Sequence, residues 1–379
     1  MTSPATGPDR RAEALLALYQ GAGYTRVAPA ILQPAEPFLD LSGEDIRRRM
    51  FLTADPDGNE LCLRPDLTIP VSRDYLASPE AGDAAGFCYL GPVFRHRGDG
   101  SGEFLQAGIE LFGRRDTAEA DAEMFSRALE TTAHYGIARP ETRMGDVGLF
   151  AALIAALDLA PAWKRRLIKD FNRSASLAHD LDQLVSEATI ERPEYQGVLA
   201  AMAGSDPKAA HALVTDLLSI AGINTVGGRT VGEIADRFLE QAALGASAGL
   251  PRATRALIEQ FLAINGDPDE ACDALHTLAE EADLDLGAAL DLFETRTRNL
   301  ADRGIDVGSM HFSTAFGRGL DYYTGFVFEL HDPARRSDRP LVAGGRYDGL
   351  LSRLGAPEPI PAVGFAVWIE RLGEIGGGS

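Results

Sequence analysis

Hydrophobic positions near the start of the chain recur at helical spacing. The pattern over residues 11–20 predicts a helix that Gly21 and Gly23 stop. The period then changes, and residues 24–29 read as a strand closing on Pro29. Residues 50–53 and 61–64 flank Asp57-Gly58, a pair that accepts the positive φ of a tight turn, so they predict a hairpin. Residues 87–95 and 104–112 predict two longer strands, with Gly98, Gly100 and Gly102 in the loop between them. A connection this short predicts antiparallel pairing. Asp116 with Glu119 has the form of a capping box, and Ala122, Phe125, Leu129 and Ala133 follow at helical spacing up to Gly136. Phe150, Leu153, Ile154 and Leu157 mark a further helix.

From about residue 160 to 300 the chain is rich in Ala and Leu and poor in strand signals. Thr230 with Glu233 and Asp267-Pro268 with Glu270 predict helix starts there. Strands resume at 310–313 and 326–330. Strands, then helices, then strands predict an α+β fold with one sheet built from both ends of the chain. The expected division is a first core part over 1–160, a mainly helical insertion over 161–303, and a second core part over 304–379.

The chain has 379 residues, 45% of them hydrophobic, which is ample for a packed core. A net charge of −20 and a pI near 4.8 repel phosphate backbones and argue against nucleic-acid binding. The basic runs Arg47–Arg49 and Arg335-Arg336 are short and read as solvated faces. Three cysteines, Cys62, Cys88 and Cys272, lie far apart, and no pair of them has zinc-ligand spacing. Cys62 and Cys88 sit in apolar runs and read as core residues, which fits a reducing cytoplasm. The first ten residues hold no apolar signal core, no run reaches membrane-spanning length, and residues 376–379 read as a flexible tail. No metal and no cofactor is expected. The chain shows no nucleophile elbow, zinc-type His pair or Walker loop, and His96 beside Arg95 reads as a strand-end packing residue.

Candidate chemistry gathers in five segments: 64–68, 94–95, 106–110, 318–323 and 364–372. On a strand, Gln106, Gly108 and Glu110 share one face, so two polar side chains would flank a gap floored by glycine. A free amino acid suits such a gap. Its ammonium needs acceptors, which Asp66, Thr68 and Gln106 offer. Its carboxylate needs a cationic fork, which Arg95 or Arg318 offers. A neutral imidazole wants an acid at one nitrogen and a hydroxyl at the other, and Glu110 with Tyr322 or Tyr323 fits.

The order of these segments resembles that of class II aminoacyl-tRNA synthetases of the histidyl type. Residues 23–29 resemble the first class II motif, which builds a dimer interface. Arg64–Thr68 is similar to the family's Arg-Pro-Glu-Gly-Thr segment, and Gly91–His96 resembles the start of the second motif. Arg318–Tyr323, followed by Ala343–Gly349, resembles the histidine signature. Ala362–Ala366 with Glu370–Leu372 resembles the third motif. The resemblance implies a class II core with an antiparallel sheet flanked by helices and a helical insertion. No anticodon-binding domain is expected after the core. It also implies a histidine site at Asp66, Thr68, Arg95, Gln106, Glu110, Arg318, Tyr322 and Tyr323.

The departures fall on the ATP half. Arg97 stands where the family has a Glu, the loop 98–102 carries no cation, and Trp368 replaces a small glycine beside the adenine. Arg95 and Arg371, which would touch ATP phosphates, remain, so Arg95, Arg97, Trp368 and Arg371 read as a vestigial ATP site. In the histidine half, Asp66 is one methylene shorter than the family's Glu. This pattern resembles the regulatory subunits of ATP phosphoribosyltransferase, a non-catalytic branch of the synthetase family. The branch implies a short catalytic partner in a hetero-octamer, a self-dimer through the class II core, histidine as feedback effector, and no tRNA or membrane partner. Two places stay open for the effector: this pocket and the junction with the partner. The alternative reading is a free-standing ligase that adenylates histidine or another amino acid.

Overall fold

The structure is a computed structural model. It describes residues 10–41, 46–98, 102–171, 173–185, 252–334 and 337–376, with a few positions between 212 and 230. Contacts divide the chain into two units, one of residues 1–153 with 260–379 and the other of residues 154–259. The expected helical stretch 161–303 is therefore shared, because residues 260–303 belong to the first unit.

A nine-stranded mixed sheet organises the first unit. In chain order the strands are β1 (Thr25–Arg26), β2 (Leu32–Pro34), β3 (Phe51–Ala54), β4 (Glu60–Leu63), β5 (Ala85–Phe94), β6 (Glu103–Phe112) and β7 (Glu141–Asp146). Two short strands of the second unit, β8 (Thr225–Val226) and β9 (Arg229–Thr230), come next. The chain then adds β10 (Asn265–Gly266), β11 (His311–Ser313), β12 (Phe326–His331), β13 (Val342–Arg346) and β14 (Ala362–Trp368). The large sheet runs β1-β5-β6-β14-β13-β12-β7-β11-β10, so both ends of the chain build it. Its centre, from β5 to β7, is antiparallel, while β1 on β5 and β11 on β7 pair in parallel. The strand expected over 24–29 shrinks to the two residues of β1.

The hairpin at Asp57-Gly58 forms as β3 and β4, and Gly58 takes a φ of +87°. The predicted pair around Gly98–Gly102 forms as β5 and β6 over ten residues each. Asp267 caps the helix Pro268–Glu281, accepting from the amides of Asp269 and Glu270. Asp116 behaves otherwise. It precedes the helix Thr117–His134 without a side-chain cap bond, because Arg114 claims its carboxylate. An ion pair with a neighbouring guanidinium outcompetes the backbone amides there. Thr230 lies in β9, and Glu233 and the helix expected from it fall outside the described residues, as do Asp99, Gly100, Arg335 and Arg336.

Helix Thr117–His134 packs on the sheet, with Phe125 edge-on to Phe328 at 5.1 Å between ring centres. Beneath it lies a buried ionic quartet. Arg346 donates to Asp121 at 2.8 Å, and Arg296, on the helix Gly287–Asp302, reaches Asp146 at 2.7 Å and Asp121 at 3.5 Å. Cys62 and Cys88 are fully buried, in line with a core role. In the second unit, Arg166 ties the helix Pro161–Asp170 to Ser174–Val185 through Asp180 at 2.9 Å. Among the described residues no helix is long and apolar enough to cross a membrane.

Candidate functional site

Strand β6 supplies the floor of the site. Gln106 and Glu110 project from the same face, as period-two alternation requires, and both are buried. The turn after β4 brings Asp66 and Thr68 over that floor, the end of β5 brings Arg95, and the loop before β12 brings Arg318, Tyr322 and Tyr323. All eight line one cavity of about 170 Å³. That is below the roughly 300–1,000 Å³ typical of drug-sized ligands, so it suits something of amino-acid size.

Glu110 is the centre of the hydrogen bonding. Thr68 donates to it at 2.7 Å, Tyr89 at 3.2 Å, and Tyr347 completes the set with a short bond to the other oxygen. Burial pushes the Glu110 carboxyl up to about 7, against the three hydroxyl bonds that favour its charged form. Tyr89 and Tyr347 were not singled out in the sequence. Tyr89 fills the space beside Gly108, where an added Cβ would stand 2.3 Å from its hydroxyl oxygen. The gap expected over that glycine is therefore taken by a phenol rather than left for a ligand.

Tyr347 reaches Glu110 because its neighbours hold it there. Arg346 is anchored to Asp121 and donates to Asp348 at 2.9 Å, and Asp348 accepts from the Ala362 amide at 2.8 Å. In the run Gly344-Gly-Arg-Tyr-Asp348, then, Arg and Asp position the chain while Tyr faces the cavity. The glycine-flanked run was visible in the sequence; the division of roles within it was not.

Two acceptors in the cavity have no partner. Asp66 Oδ2 and Gln106 Oε1 are both buried without a hydrogen bond. Asp66 uses its other oxygen on the Ile69 amide at 3.2 Å, and burial raises its pKa although Arg95 acts to lower it. Buried acceptors left unmet are costly, so this pair points to a missing donor. Among the cations, Arg318 donates to Tyr323 and pairs with Glu329 at 3.3 Å, and Arg95 Nε donates to the Pro65 carbonyl, next to Asp66, at 2.7 Å. Tyr322, Tyr323 and Tyr347 form an aromatic cluster, with 4.9 Å between the first two ring centres.

A second cavity of about 330 Å³ adjoins the first, with Trp368 in the wall of both. Arg97, Arg339 and Arg371 line it. Arg97 sits 3.9 Å over the Phe104 ring and Arg371 4.5 Å over the Trp368 ring. Burial, helped by Arg97 and Arg339, pushes the Arg371 guanidinium down to about 10. Of the residues expected at a vestigial ATP site, Arg97, Trp368 and Arg371 meet here, while Arg95 lines the first cavity. His96 stacks 3.7 Å from Phe51, a packing role.

Comparison with known proteins shows the family. The histidyl-tRNA synthetase family model matches residues 5–227 and 212–372. An ATP phosphoribosyltransferase regulatory subunit of Brucella canis is 43% identical over 353 residues, covering 92% of each chain. That of Brucella abortus is also 43% identical, over 92% of this chain and 91% of its own. Among solved structures, an ATP phosphoribosyltransferase regulatory subunit/histidyl-tRNA synthetase from Bacillus halodurans has a TM-score of 0.63 at 22% identity, covering 96% of this chain and 77% of that one. A histidine–tRNA ligase subunit from Alicyclobacillus acidocaldarius has a TM-score of 0.55 at 25% identity, covering 98% and 94%.

Proposed function

The chain belongs to the family of ATP phosphoribosyltransferase regulatory subunits, built on the histidyl-tRNA synthetase fold, and on that premise we propose that it senses histidine in the cavity over β6. Its relatives are named as regulatory, not catalytic, subunits, and it is itself a regulatory subunit rather than an enzyme. The name implies a catalytic partner. In our reading that partner is a short phosphoribosyltransferase acting at the first step of histidine biosynthesis, in the cytoplasm, in an assembly of four subunits of each kind.

The observation that carries the reading is the pair of unmet acceptors, Asp66 Oδ2 and Gln106 Oε1, in a cavity that also holds Arg95 and Arg318. An α-ammonium satisfies the acceptors, and a guanidinium takes the α-carboxylate. Glu110 and the tyrosine hydroxyls receive the imidazole. The bulky Trp368 stands in the wall of both cavities, which supports a lost ATP function. In our reading the class II core also self-associates.

A sensor works through different affinity for two states of the assembly, typically about 1–3 kcal/mol of coupling. The test is histidine inhibition of the complex reconstituted with its catalytic partner. Glu110→Gln or Arg318→Ala should abolish feedback while leaving assembly intact. Inhibition curves unchanged in both variants would move the effector to the junction with the partner.

A further inference from the structure

Outside these cavities, two helices of the first unit bring three different ligand types to one point. Cys272 and His276 lie four residues apart on the helix Pro268–Glu281, so they stack on one face. Glu294 faces them from the next helix, Gly287–Asp302. Its Oε1 lies 2.5 Å from His276 Nε2 and 3.7 Å from Cys272 Sγ. The three ligand atoms all lie within 4.8 Å of one another. Cys272 and Glu294 border a hollow of about 270 Å³ that Asp269, Thr297 and Arg298 also line.

A plain ion pair accounts for His276 and Glu294, whose side chains are 45% and 37% exposed, and such a pair stabilises little. It does not account for the thiol aimed at the same carboxylate oxygen. Sulfur, imidazole nitrogen and carboxylate oxygen together form the donor set of a borderline-soft cation, whereas magnesium and calcium prefer oxygen alone. Cysteine spacing in the sequence missed this group because only one of its members is a cysteine and the third comes from another helix.

We propose that Cys272, His276 and Glu294 bind a zinc-class divalent cation, with water from the adjoining hollow as the fourth ligand. The ion forms bonds to Sγ, Nε2 and Oε1, and the thiol releases its proton to solvent. Bond lengths of about 2.0–2.3 Å require the His276–Glu294 contact to open by about 1 Å, within the reach of rotamer adjustment at half-exposed positions. The bound ion would clamp the two helices together. Asp269 stands on the same hollow, placed to accept from the bound water.

Cobalt titration of the full chain, purified with chelator and then freed of it, tests this. The expected result is a thiolate-to-cobalt charge-transfer band that saturates at one equivalent and is bleached by zinc. Cys272→Ser should remove the band. His276→Ala and Glu294→Gln should each weaken binding by roughly 100-fold or more, since even outer-shell partners are worth about 10–100-fold. Zinc should raise the melting temperature of the wild type and not of Cys272→Ser. Circular dichroism of the metal-free variants checks folding, with Cys272→Ala as a second variant. No band at one equivalent, or a band that survives in both Cys272 variants, would overturn the proposal.

Discussion

Gly364 stands opposite Glu110 across the ladder between β6 and β14, and a Cβ on that glycine would fall 1.9 Å from Glu110 Oε2. The carboxylate rests on a glycine because no other residue leaves room for it. Gly364→Ala should therefore displace Glu110 and loosen its bonds to Thr68 and Tyr347. Overpacking of this kind costs about 1–3 kcal/mol; if that cost falls on the binding geometry, histidine affinity should drop by about 5- to 150-fold. Calorimetric titration of histidine into the folded variant checks this, and unchanged affinity would place the ligand elsewhere.

Parts of this site were legible in the sequence for a plain physical reason. Period-two alternation puts Gln106 and Glu110 on one face whatever the strand pairs with, and Asp57-Gly58 and Asp267 act through local backbone geometry. Tyr89 over Gly108 was not legible, because it depends on the register between β5 and β6, which sets Tyr89 opposite Gly108. Asp116 failed as a cap because the competing Arg114 lies on the other side of it, where a capping pattern does not look. The order of the nine strands was likewise hidden, since β14 enters between β6 and β13 from the far end of the chain.

The pH dependence of stability should carry a mark of Glu110. Its folded pKa is raised, to about 7 from 4.5, so the folded chain holds the proton more tightly than the unfolded one. The unfolded state then binds fewer protons between these values, and stability falls as pH rises through that window. The contribution is fully present below about pH 4.5 and lost above about pH 7. At 1.36 kcal/mol per unit the full span is roughly 3 kcal/mol. Urea unfolding from pH 5 to 8 should show this slope in the wild type and its absence in Glu110→Gln. Parallel profiles for the two proteins would contradict it.

The quartet of Asp121, Arg296, Arg346 and Asp146 should be costly to break. Its members are almost wholly buried, and Asp121→Ala would remove the carboxylate that two buried guanidinium groups share, leaving Arg296 only Asp146 and Arg346 only the half-exposed Asp348. A loss of about 3–5 kcal/mol in urea unfolding is expected. Glu13→Ala gives the contrast. Its pair with Arg26 is 44–46% exposed, so a change under about 1 kcal/mol is expected. Because Arg346 holds the chain next to Tyr347, Asp121→Ala should also weaken histidine binding, while Glu13→Ala should not.

Trp368 offers the sharpest test of why a synthetase fold would have stopped handling nucleotides. Its side chain is buried, forms a wall of both cavities, and lies under Arg371. Arg97, Arg339 and Arg371 line the second cavity together with Asp332, Glu370 and Glu374, and the element under test is space for a base. Trp368→Ala should join the cavities at a cost in stability of about 3–5 kcal/mol, the usual range for truncating a buried Trp. If the indole is the obstacle, ATP affinity measured by equilibrium dialysis should rise by about tenfold or more over the wild type. Histidine affinity should change far less, because Glu110, Asp66 and Arg318 are untouched. Should the folded variant bind ATP no better than the wild type, the block lies in other departures, with Arg97 the first to substitute.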